Sequence, residues 1–113
     1  MDCLFCKIIK GDVPSKKVYE NEYVYAFHDI SPMAPVHVLI VPKTHVESAA
    51  KLSGDNLIIM QHLTEAAIEI AKQLGIYESG FRTVLNSGKD AGQTVFHLHM
   101  HLLGGAALSD FGV

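Results

Sequence analysis

The sequence lacks the features that place a chain in a membrane, in an export pathway or on a nucleic acid. No apolar run approaches the roughly 20 residues that a membrane-spanning helix needs. The first residues carry neither the basic cluster nor the apolar core of a secretory signal peptide. Acidic side chains (12) outnumber basic ones (9), so we expect neither a nucleic-acid polymer nor an anionic membrane as the main partner. These absences predict a cytoplasmic protein.

Repeats, low-complexity segments and linkers are also absent, and cysteine is scarce. A chain of 113 residues is long enough for one core and short for a two-domain enzyme, so we expect a single domain, residues 1–113. The sequence has only two cysteines. In an intracellular protein these are more often metal-binding or redox groups than a structural disulfide.

Three histidines alternate with apolar residues in the segment His97–Leu103, which reads HLHMHLL. A period of two is typical of a β-strand with one polar and one buried face. On such a strand the three imidazoles point the same way on an exposed face, and the residues between them point into a core. Three titratable rings in a row serve no packing purpose. The pattern therefore predicts a reaction site or a metal site, with solvated surface histidines as the less favoured alternative.

The spacing of these histidines limits what a metal could do. At about 3.3 Å per residue, His97 and His101 lie roughly 13 Å apart along a strand. Metal–nitrogen bonds are about 2 Å long, so one ion cannot easily take all three rings. We therefore expect the three histidines to have different roles.

A loop rich in glycine and short polar side chains, residues 86–94, precedes the histidine segment. Such a loop can turn backbone N–H groups, an amide and a hydroxyl towards an anion, although many similar loops are plain turns. Its place beside three histidines favours a phosphate cradle. Neutral imidazole is nucleophilic near pH 7 and forms a hydrolysable N–P bond, and a second, protonated histidine can assist the leaving group.

The remaining patterns predict an α+β fold with an antiparallel sheet. The predicted elements are a short helix capped by Asp2 and ended by Gly11, strands at Lys17–Glu20, Tyr23–His28 and His37–Val41, a long helix from Ser53 or Asp55 to just before Gly75, a strand at Phe81–Asn86 and the histidine strand at Phe96–Leu103. The long helix has a broad apolar face, widened by Leu57, Ala66, Ile68 and Ala71. Deep packing explains this width, but we favour a subunit interface.

Four segments together resemble the histidine triad (HIT) family of nucleotide hydrolases and transferases. They are FCKII at 5–9, AFHDISP at 26–32, HVLIVPKTH at 37–45 and GQTVFHLHMHLL at 92–103. The pair Gly104-Gly105 after the triad resembles the Hint branch rather than the Fhit branch, where Pro-Arg is usual. The resemblance implies a HIT-like fold with a five-stranded antiparallel sheet, one long helix and one short helix. It further implies a homodimer with a continuous sheet and the long helix at its interface.

The resemblance also implies catalytic roles for four histidines. His99 would be the nucleophile that takes the nucleotidyl group, and His101 would contact the phosphoryl oxygens and help the leaving group depart. His97 would orient the nucleophile, and His37 would join the proton relay behind it.

Nucleotide-binding residues follow from the same resemblance. Asn86, Gln93 and Thr94 would hold the α-phosphate and the leaving-group side, and Asp29 would accept hydrogen bonds from the ribose hydroxyls. The apolar slot for the base would be formed by Leu4, Phe5, Ile8, Phe27 and Ile30. Taken without the resemblance, Phe5, Ile8 and Phe27 are equally ordinary core residues, and Asp29 equally caps the Ser31-Pro32 turn.

The motif Cys3-Leu4-Phe5-Cys6 leaves three alternatives open. A redox CxxC normally follows a strand, and none is predicted before Cys3. A zinc site needs two further ligands. The resemblance implies structural zinc on Cys3, Cys6, His45 and His97, with free thiols and disulfide chemistry as the alternatives, and no catalytic cofactor.

The resemblance thus implies a hydrolase of nucleoside 5′-phosphoramidates, acting on purine mononucleotide (AMP or GMP) derivatives through a covalent nucleotidyl-histidine. The nearest alternative is a dinucleoside polyphosphate hydrolase. Others are a nucleotide- or zinc-binding regulatory module with little turnover, and a metal-storage protein. The residues after Gly105 differ from the Trp-Pro-Pro tail of many Hint proteins, so the amine or acyl partner stays open.

Overall fold

The computed structural model of the chain describes residues 3–109 and confirms the α+β fold. The elements are helix α1 (Leu4–Lys10), strands β1 (Lys17–Glu20), β2 (Val24–His28) and β3 (Val36–Pro42), helix α2 (Ile58–Gln73), and strands β4 (Phe81–Val84) and β5 (Met100–Gly104). All five strands belong to one antiparallel sheet in the order β1-β2-β3-β5-β4. The histidine-bearing β5 therefore lies inside the sheet, between β3 and β4.

The residue that caps the start of α1 is Cys3 rather than the predicted Asp2. The Cys6 N–H donates to Cys3 Sγ at 3.4 Å, so Cys3 caps the helix. The predicted cap, Asp2, lies outside the described residues. Gly11 ends the helix as predicted, because its φ of 85° suits glycine and its N–H donates to the Ile8 carbonyl.

Helix α2 begins later than predicted, because residues 54–57 form a 3₁₀ turn before Ile58. Ala66 and Ala71 are buried against the sheet within this chain. Leu57 and Ile68 are 55% and 38% exposed. The broad apolar face is thus partly core packing and partly exposed surface. No helix in the described part of the chain is long and apolar enough to cross a membrane.

Two cores cover the two faces of the sheet. The first, which we call the α2 side, contains α2 together with Leu98, Met100 and Leu102, the apolar residues of the histidine segment. The second, the α1 side, contains Phe5 of α1 and its neighbours. Because residues alternate between faces, the histidines lie on the α1 side.

The histidine segment corrects two sequence expectations. Strand β5 covers only Met100–Gly104, because the Leu98 N–H donates to the Val46 carbonyl at 2.6 Å before the strand begins. The face is also buried rather than exposed, since His97 is 0% and His99 8% exposed. Helix α1 covers this face of the sheet, and its Phe5 ring lies 6.0 Å from His97 and 5.2 Å from His99.

Candidate active site

The His97 ring is held by a backbone carbonyl. Its Nε2 lies 2.8 Å from the Pro42 carbonyl oxygen. Since a carbonyl only accepts hydrogen bonds, Nε2 carries the ring proton and Nδ1 carries a lone pair. Burial lowers the pKa of His97, which favours this neutral form.

The His97 lone pair faces three further groups that bind metals. Nδ1 lies 3.4 Å from Cys3 Sγ, 3.6 Å from Cys6 Sγ and 3.1 Å from His45 Nδ1. Cys6 Sγ and His45 Nδ1 are 3.4 Å apart, and all four atoms lie within 4.8 Å of one another. We call these four residues the Cys–His cluster.

The Cys–His cluster could hold a metal ion, and its chemistry fits zinc. Zinc bonds of about 2.0–2.1 Å to nitrogen and about 2.3 Å to sulfur place tetrahedral ligand atoms roughly 3.3–3.8 Å apart. Burial raises the pKa of the Cys6 thiol, and the neighbouring Cys3 adds to the effect. A cation between the two sulfurs would reverse that shift and favour the thiolates.

His99 is oriented by a backbone carbonyl rather than by a side chain. Its Nδ1 donates to the His97 carbonyl oxygen at 2.8 Å. The proton is thereby fixed on Nδ1, and Nε2 is left with a lone pair. Phe5 presents its ring edge-on to His99 at 5.2 Å, and the His101 ring lies at the same distance. His99 is therefore a buried, fixed imidazole with a nucleophilic nitrogen.

His37, which the family resemblance placed in a proton relay behind His99, contacts His101. His37 Nε2 and His101 Nδ1 are 2.9 Å apart. The Met33 N–H donates to the other nitrogen of His37, Nδ1, at 3.1 Å. Burial lowers the pKa of His37, and it lowers the pKa of His101 to about 4, with His99 and His37 adding to the latter shift. Both rings are therefore neutral near pH 7.

The Asp29 carboxylate caps the turn and also faces His37, and its contact with the ribose hydroxyls stays a prediction. Oδ1 accepts a hydrogen bond from the Ser31 N–H at 2.8 Å, as a turn cap does. Oδ2 lies 3.5 Å from His37 Nε2. The carboxylate also borders a cleft of about 520 Å³, whose other lining residues are Lys16, His28, Ile30, Pro32, Pro35 and His37. One oxygen thus shapes the loop while the other faces the histidines.

Gln93 braces the loop before the histidines. Its Oε1 accepts from the Gly88 N–H at 2.8 Å, and its Nε2 donates to the Glu47 and Val95 carbonyls at 2.7 and 3.0 Å. Both amide hydrogens and the oxygen thus have backbone partners, and the expected contact with the α-phosphate stays a prediction. Thr94 is exposed and lines a cleft of about 550 Å³. Asn86 is half-buried after β4.

The five residues of the predicted base slot divide into two groups. Phe5, Ile8 and Phe27 belong to the α1-side core and are 5–7% exposed. Leu4 and Ile30 are 48% and 96% exposed. The first group thus packs as core in this structure, and the base slot stays a prediction for all five residues.

Comparison with known proteins fixes the family. The sequence model of the HIT domain matches residues 10–108. The chain belongs to the HIT family. It is 41% identical to the purine nucleoside phosphoramidase of Escherichia coli over 107 residues, covering 95% of this chain and 90% of that protein.

Solved structures of HIT proteins match the fold along nearly its full length. A histidine triad protein from Clostridium difficile superposes with a TM-score of 0.95 at 45% identity, covering 98% of this chain and 96% of the other. A HIT family hydrolase from Clostridium thermocellum gives 0.94 at 49% identity, covering 97% and 96%. These HIT relatives support a hydrolase.

Three backbone groups of this HIT domain were missed by sequence reasoning. They are the Met33 N–H and the carbonyls of Pro42 and His97, which contact His37, His97 and His99. Every residue has such groups, so the sequence gives no signal of which ones meet a histidine. The proline-containing loop at 29–35 was the one available hint that this backbone is held in a defined shape.

Proposed function

We propose that this HIT protein hydrolyses nucleoside 5′-phosphoramidates, such as adenosine monophosphate joined to an amine. The observation that carries the proposal is the 2.8 Å hydrogen bond from His99 Nδ1 to the His97 carbonyl, which leaves His99 Nε2 with a lone pair. The His101 ring lies beside His99 at 5.2 Å. The 41% identity to a protein named purine nucleoside phosphoramidase supports the phosphorus–nitrogen bond as the one cleaved.

The first step forms a covalent nucleotidyl-histidine. His99 Nε2 attacks the α-phosphorus, the P–N bond breaks, and the departing amine takes a proton from solvent. His99 becomes a cation because Nδ1 keeps its proton, and the His97 carbonyl stabilises that charge through its hydrogen bond. His101 lies beside His99 and would donate a hydrogen bond to a phosphoryl oxygen.

The second step restores the enzyme. Water attacks the same phosphorus on the nucleotidyl-histidine and gives up a proton to solvent, and the N–P bond breaks with its electron pair returning to His99 Nε2. The mononucleotide then leaves, and His99 is neutral again. Asn86 and Thr94 would bind the phosphate side, and Asp29 would bind the ribose hydroxyls. The exposed apolar side chains of Leu4 and Ile30, which line different clefts, are both candidates to contact the purine base.

Zinc is proposed here as a structural ion on the Cys–His cluster. The four residues of the cluster would hold the ion, and the ion would fix the position of His97, whose carbonyl orients His99. We also propose a cytoplasmic homodimer of single HIT domains, residues 1–113. Strand β4 is an outer strand of the sheet and pairs with β5 alone within the described chain, which suits continuation of the sheet into a second copy.

The deciding experiment is steady-state hydrolysis of an adenosine 5′-phosphoramidate by the unaltered protein and by His99→Gly. We expect kcat to fall by about 10³-fold or more in the variant. His62→Ala is the matched control, because His62 stacks on Tyr23 at 3.7 Å and has no place in the proposed mechanism. Mass spectrometry of a reaction quenched at alkaline pH, where the N–P bond of a nucleotidyl-histidine survives, should detect the adduct in the unaltered protein and in His62→Ala but not in His99→Gly.

Other outcomes would redirect the proposal. Faster hydrolysis of a dinucleoside polyphosphate than of the phosphoramidate would favour that alternative substrate. Nucleotide binding with no turnover in either protein would favour a regulatory module and would overturn the hydrolase mechanism.

A further inference from the structure

We propose that the backbone N–H of Met33 is a positioning group for the reaction, because it sets which nitrogens of His37 and His101 carry protons. This inference rests on the proposed function and deepens it. The Met33 N–H, His37 and His101 form a series of hydrogen bonds that we call the donor chain. Its last member, His101 Nε2–H, would then face the phosphoryl oxygens of the substrate.

The first two bonds of the donor chain fix the tautomer of His37. The Met33 nitrogen lies 3.1 Å from His37 Nδ1 and is a donor only, so Nδ1 must accept. In a neutral ring the proton is then on Nε2. That proton has two acceptors within reach, His101 Nδ1 at 2.9 Å and Asp29 Oδ2 at 3.5 Å. The nearer one, His101, receives the hydrogen bond.

The tautomer of His101 follows from that of His37. Because His101 Nδ1 accepts the hydrogen bond, the proton of the neutral His101 ring is on Nε2. An N–H at that position can donate to an anionic oxygen, whereas a lone pair would repel it. The Met33 amide therefore acts on the reaction through two imidazoles.

Without the Met33 N–H, the contact between the two rings would allow the opposite arrangement. His37 would carry its proton on Nδ1, His101 would donate from Nδ1 to His37 Nε2, and His101 Nε2 would present a lone pair. The 2.9 Å separation is equally good for either direction. The hydrogen bond from Met33 at 3.1 Å is the main contact that distinguishes the two, and the Asp29 carboxylate, 3.5 Å from His37 Nε2, favours the same arrangement more weakly.

Asp29, His37 and His101 are close enough to hold a metal ion, but the donor chain suits them to hydrogen bonding rather than to metal binding. The ligand atoms of Asp29, His37 and His101 lie within 4.8 Å of one another. A neutral His37 that bound a metal through Nε2 would need a proton on Nδ1. The Met33 N–H already points at that nitrogen, so the two hydrogens would collide.

The loop that carries the Met33 amide is held by backbone hydrogen bonds and by two prolines. Asp29 N–H donates to the His37 carbonyl at 2.9 Å, and Ser31 N–H donates to Asp29 Oδ1. Pro32 and Pro35 restrict φ on either side of Met33. The Met33 side chain is 60% exposed. A change of side chain should therefore leave the amide in place.

The test compares Met33→Pro, which lacks the N–H, with Met33→Ala, which keeps it. NMR of protein labelled at the histidine nitrogens reports which nitrogen of each ring is protonated. We expect Nε2-protonated His37 and His101 in the unaltered protein and in Met33→Ala, and a substantial Nδ1-protonated fraction of both rings in Met33→Pro. With a phosphoramidate substrate, kcat should fall by about tenfold or more in Met33→Pro, with KM within about twofold.

Each other outcome counts against a defined claim. An Nδ1-protonated His37 in the unaltered protein overturns the proposal, and so does a full kcat in Met33→Pro after its tautomers have shifted. If Met33→Pro does not fold, an amide-to-ester replacement at residue 33 removes the same hydrogen with less strain and must show the same shifts. Absence of phosphoramidate turnover in the unaltered protein would overturn the proposed function itself, and the tautomers, read without substrate, would be unaffected.

Discussion

His97 and His101 are each two residues from His99, yet their surroundings are opposite. The His97 ring is fully buried, and its Nδ1 faces two thiols and His45. The His101 ring is half-buried, and its Nδ1 faces His37. The same residue type at the same spacing therefore has different chemistry, because its neighbours determine what each ring nitrogen can do.

The two flanks also reach His99 differently. His97 contacts it through a backbone carbonyl at 2.8 Å, whereas His101 contacts it ring to ring at 5.2 Å. We therefore expect His97, which positions His99 through its backbone, to contribute mainly to the stability of the fold. We expect His101, which places its side chain beside the His99 ring, to contribute mainly to turnover.

The strongest test of this contrast replaces each flanking histidine by alanine. His97→Ala removes a fully buried ring, its bond to Pro42 and one ligand of the Cys–His cluster, so we expect the free energy of unfolding to fall by about 4 kcal/mol or more. His101→Ala should cost about 1–2 kcal/mol but lower kcat by about 10²-fold. Chemical denaturation and phosphoramidate kinetics measure both. Equal losses of stability in the two variants would break the contrast.

The next largest effect concerns metal on the His97 flank. Zinc at about a thousand times its Kd should stabilise the native protein by about 4 kcal/mol, because it binds the folded Cys–His cluster. Cys3→Ser should lose most of this response, since Cys3 Sγ is a member of the cluster. Thermal unfolding with added zinc and with a chelator checks the prediction. If the unaltered protein and Cys3→Ser respond alike to zinc, the ion binds elsewhere.

The third prediction is that the lowered pKa of His101 makes the free energy of unfolding depend on pH. His101 has a pKa of about 4 in the fold, against 6.5 for the ordinary group. Between these values the unfolded chain binds the extra proton and the folded chain does not, so this contribution is complete above about pH 6.5 and is lost as the pH falls to about 4. The loss is about 3 kcal/mol. His99 and His37 face the ring and oppose its protonation, and Asp29 favours it.

Urea denaturation across this pH range, with His101→Gln as the control, isolates the contribution of His101. The variant cannot titrate at this position, so its stability should depend less steeply on pH. His37, whose pKa is lowered in the same direction, accounts for part of the slope that remains. Parallel slopes in the two proteins would contradict a depressed pKa at His101.

Local patterns in the sequence predicted three strands of the sheet closely, whereas β4 ends two residues before the predicted Asn86 and β5 begins four residues after the predicted Phe96. Strand β1 has the predicted bounds, and β2 and β3 differ by only one residue at either end. Alternation of apolar residues also placed Leu98, Met100 and Leu102 in a core. These features depend on residues close together in the chain, which is why a single sequence reveals them.

The environments of the histidines depend on contacts that are distant in sequence. His97 is buried because α1 packs on its face of the sheet, and Cys3 lies 94 residues away in the chain. Which nitrogen each ring protonates depends on backbone groups such as the Met33 N–H. The family resemblance anticipated the residues that meet, but neither the burial of His97 nor the tautomers follow from a periodic pattern.

The smallest expected effect is the loss of stability on mutating Gln93. Comparing Gln93 with its neighbour Thr94 separates a structural role from a substrate-binding role within one loop. Gln93→Ala should lower the free energy of unfolding by about 2–3 kcal/mol, because it leaves the Gly88 N–H and the Glu47 and Val95 carbonyls without their partner. Thr94→Ala, next along the chain and exposed, should cost about 0.5 kcal/mol or less but raise KM.

Denaturation and KM measured on the Gln93 and Thr94 variants decide between a brace and a phosphate ligand. If Gln93 acts as a brace, Gln93→Ala must lose about 2–3 kcal/mol of stability, whether or not KM changes. A stability unchanged in Gln93→Ala together with a strongly raised KM would return Gln93 to the phosphate-binding role that the family resemblance implied. The backbone contacts favour the brace, because all of the amide's hydrogens are already donated within the protein.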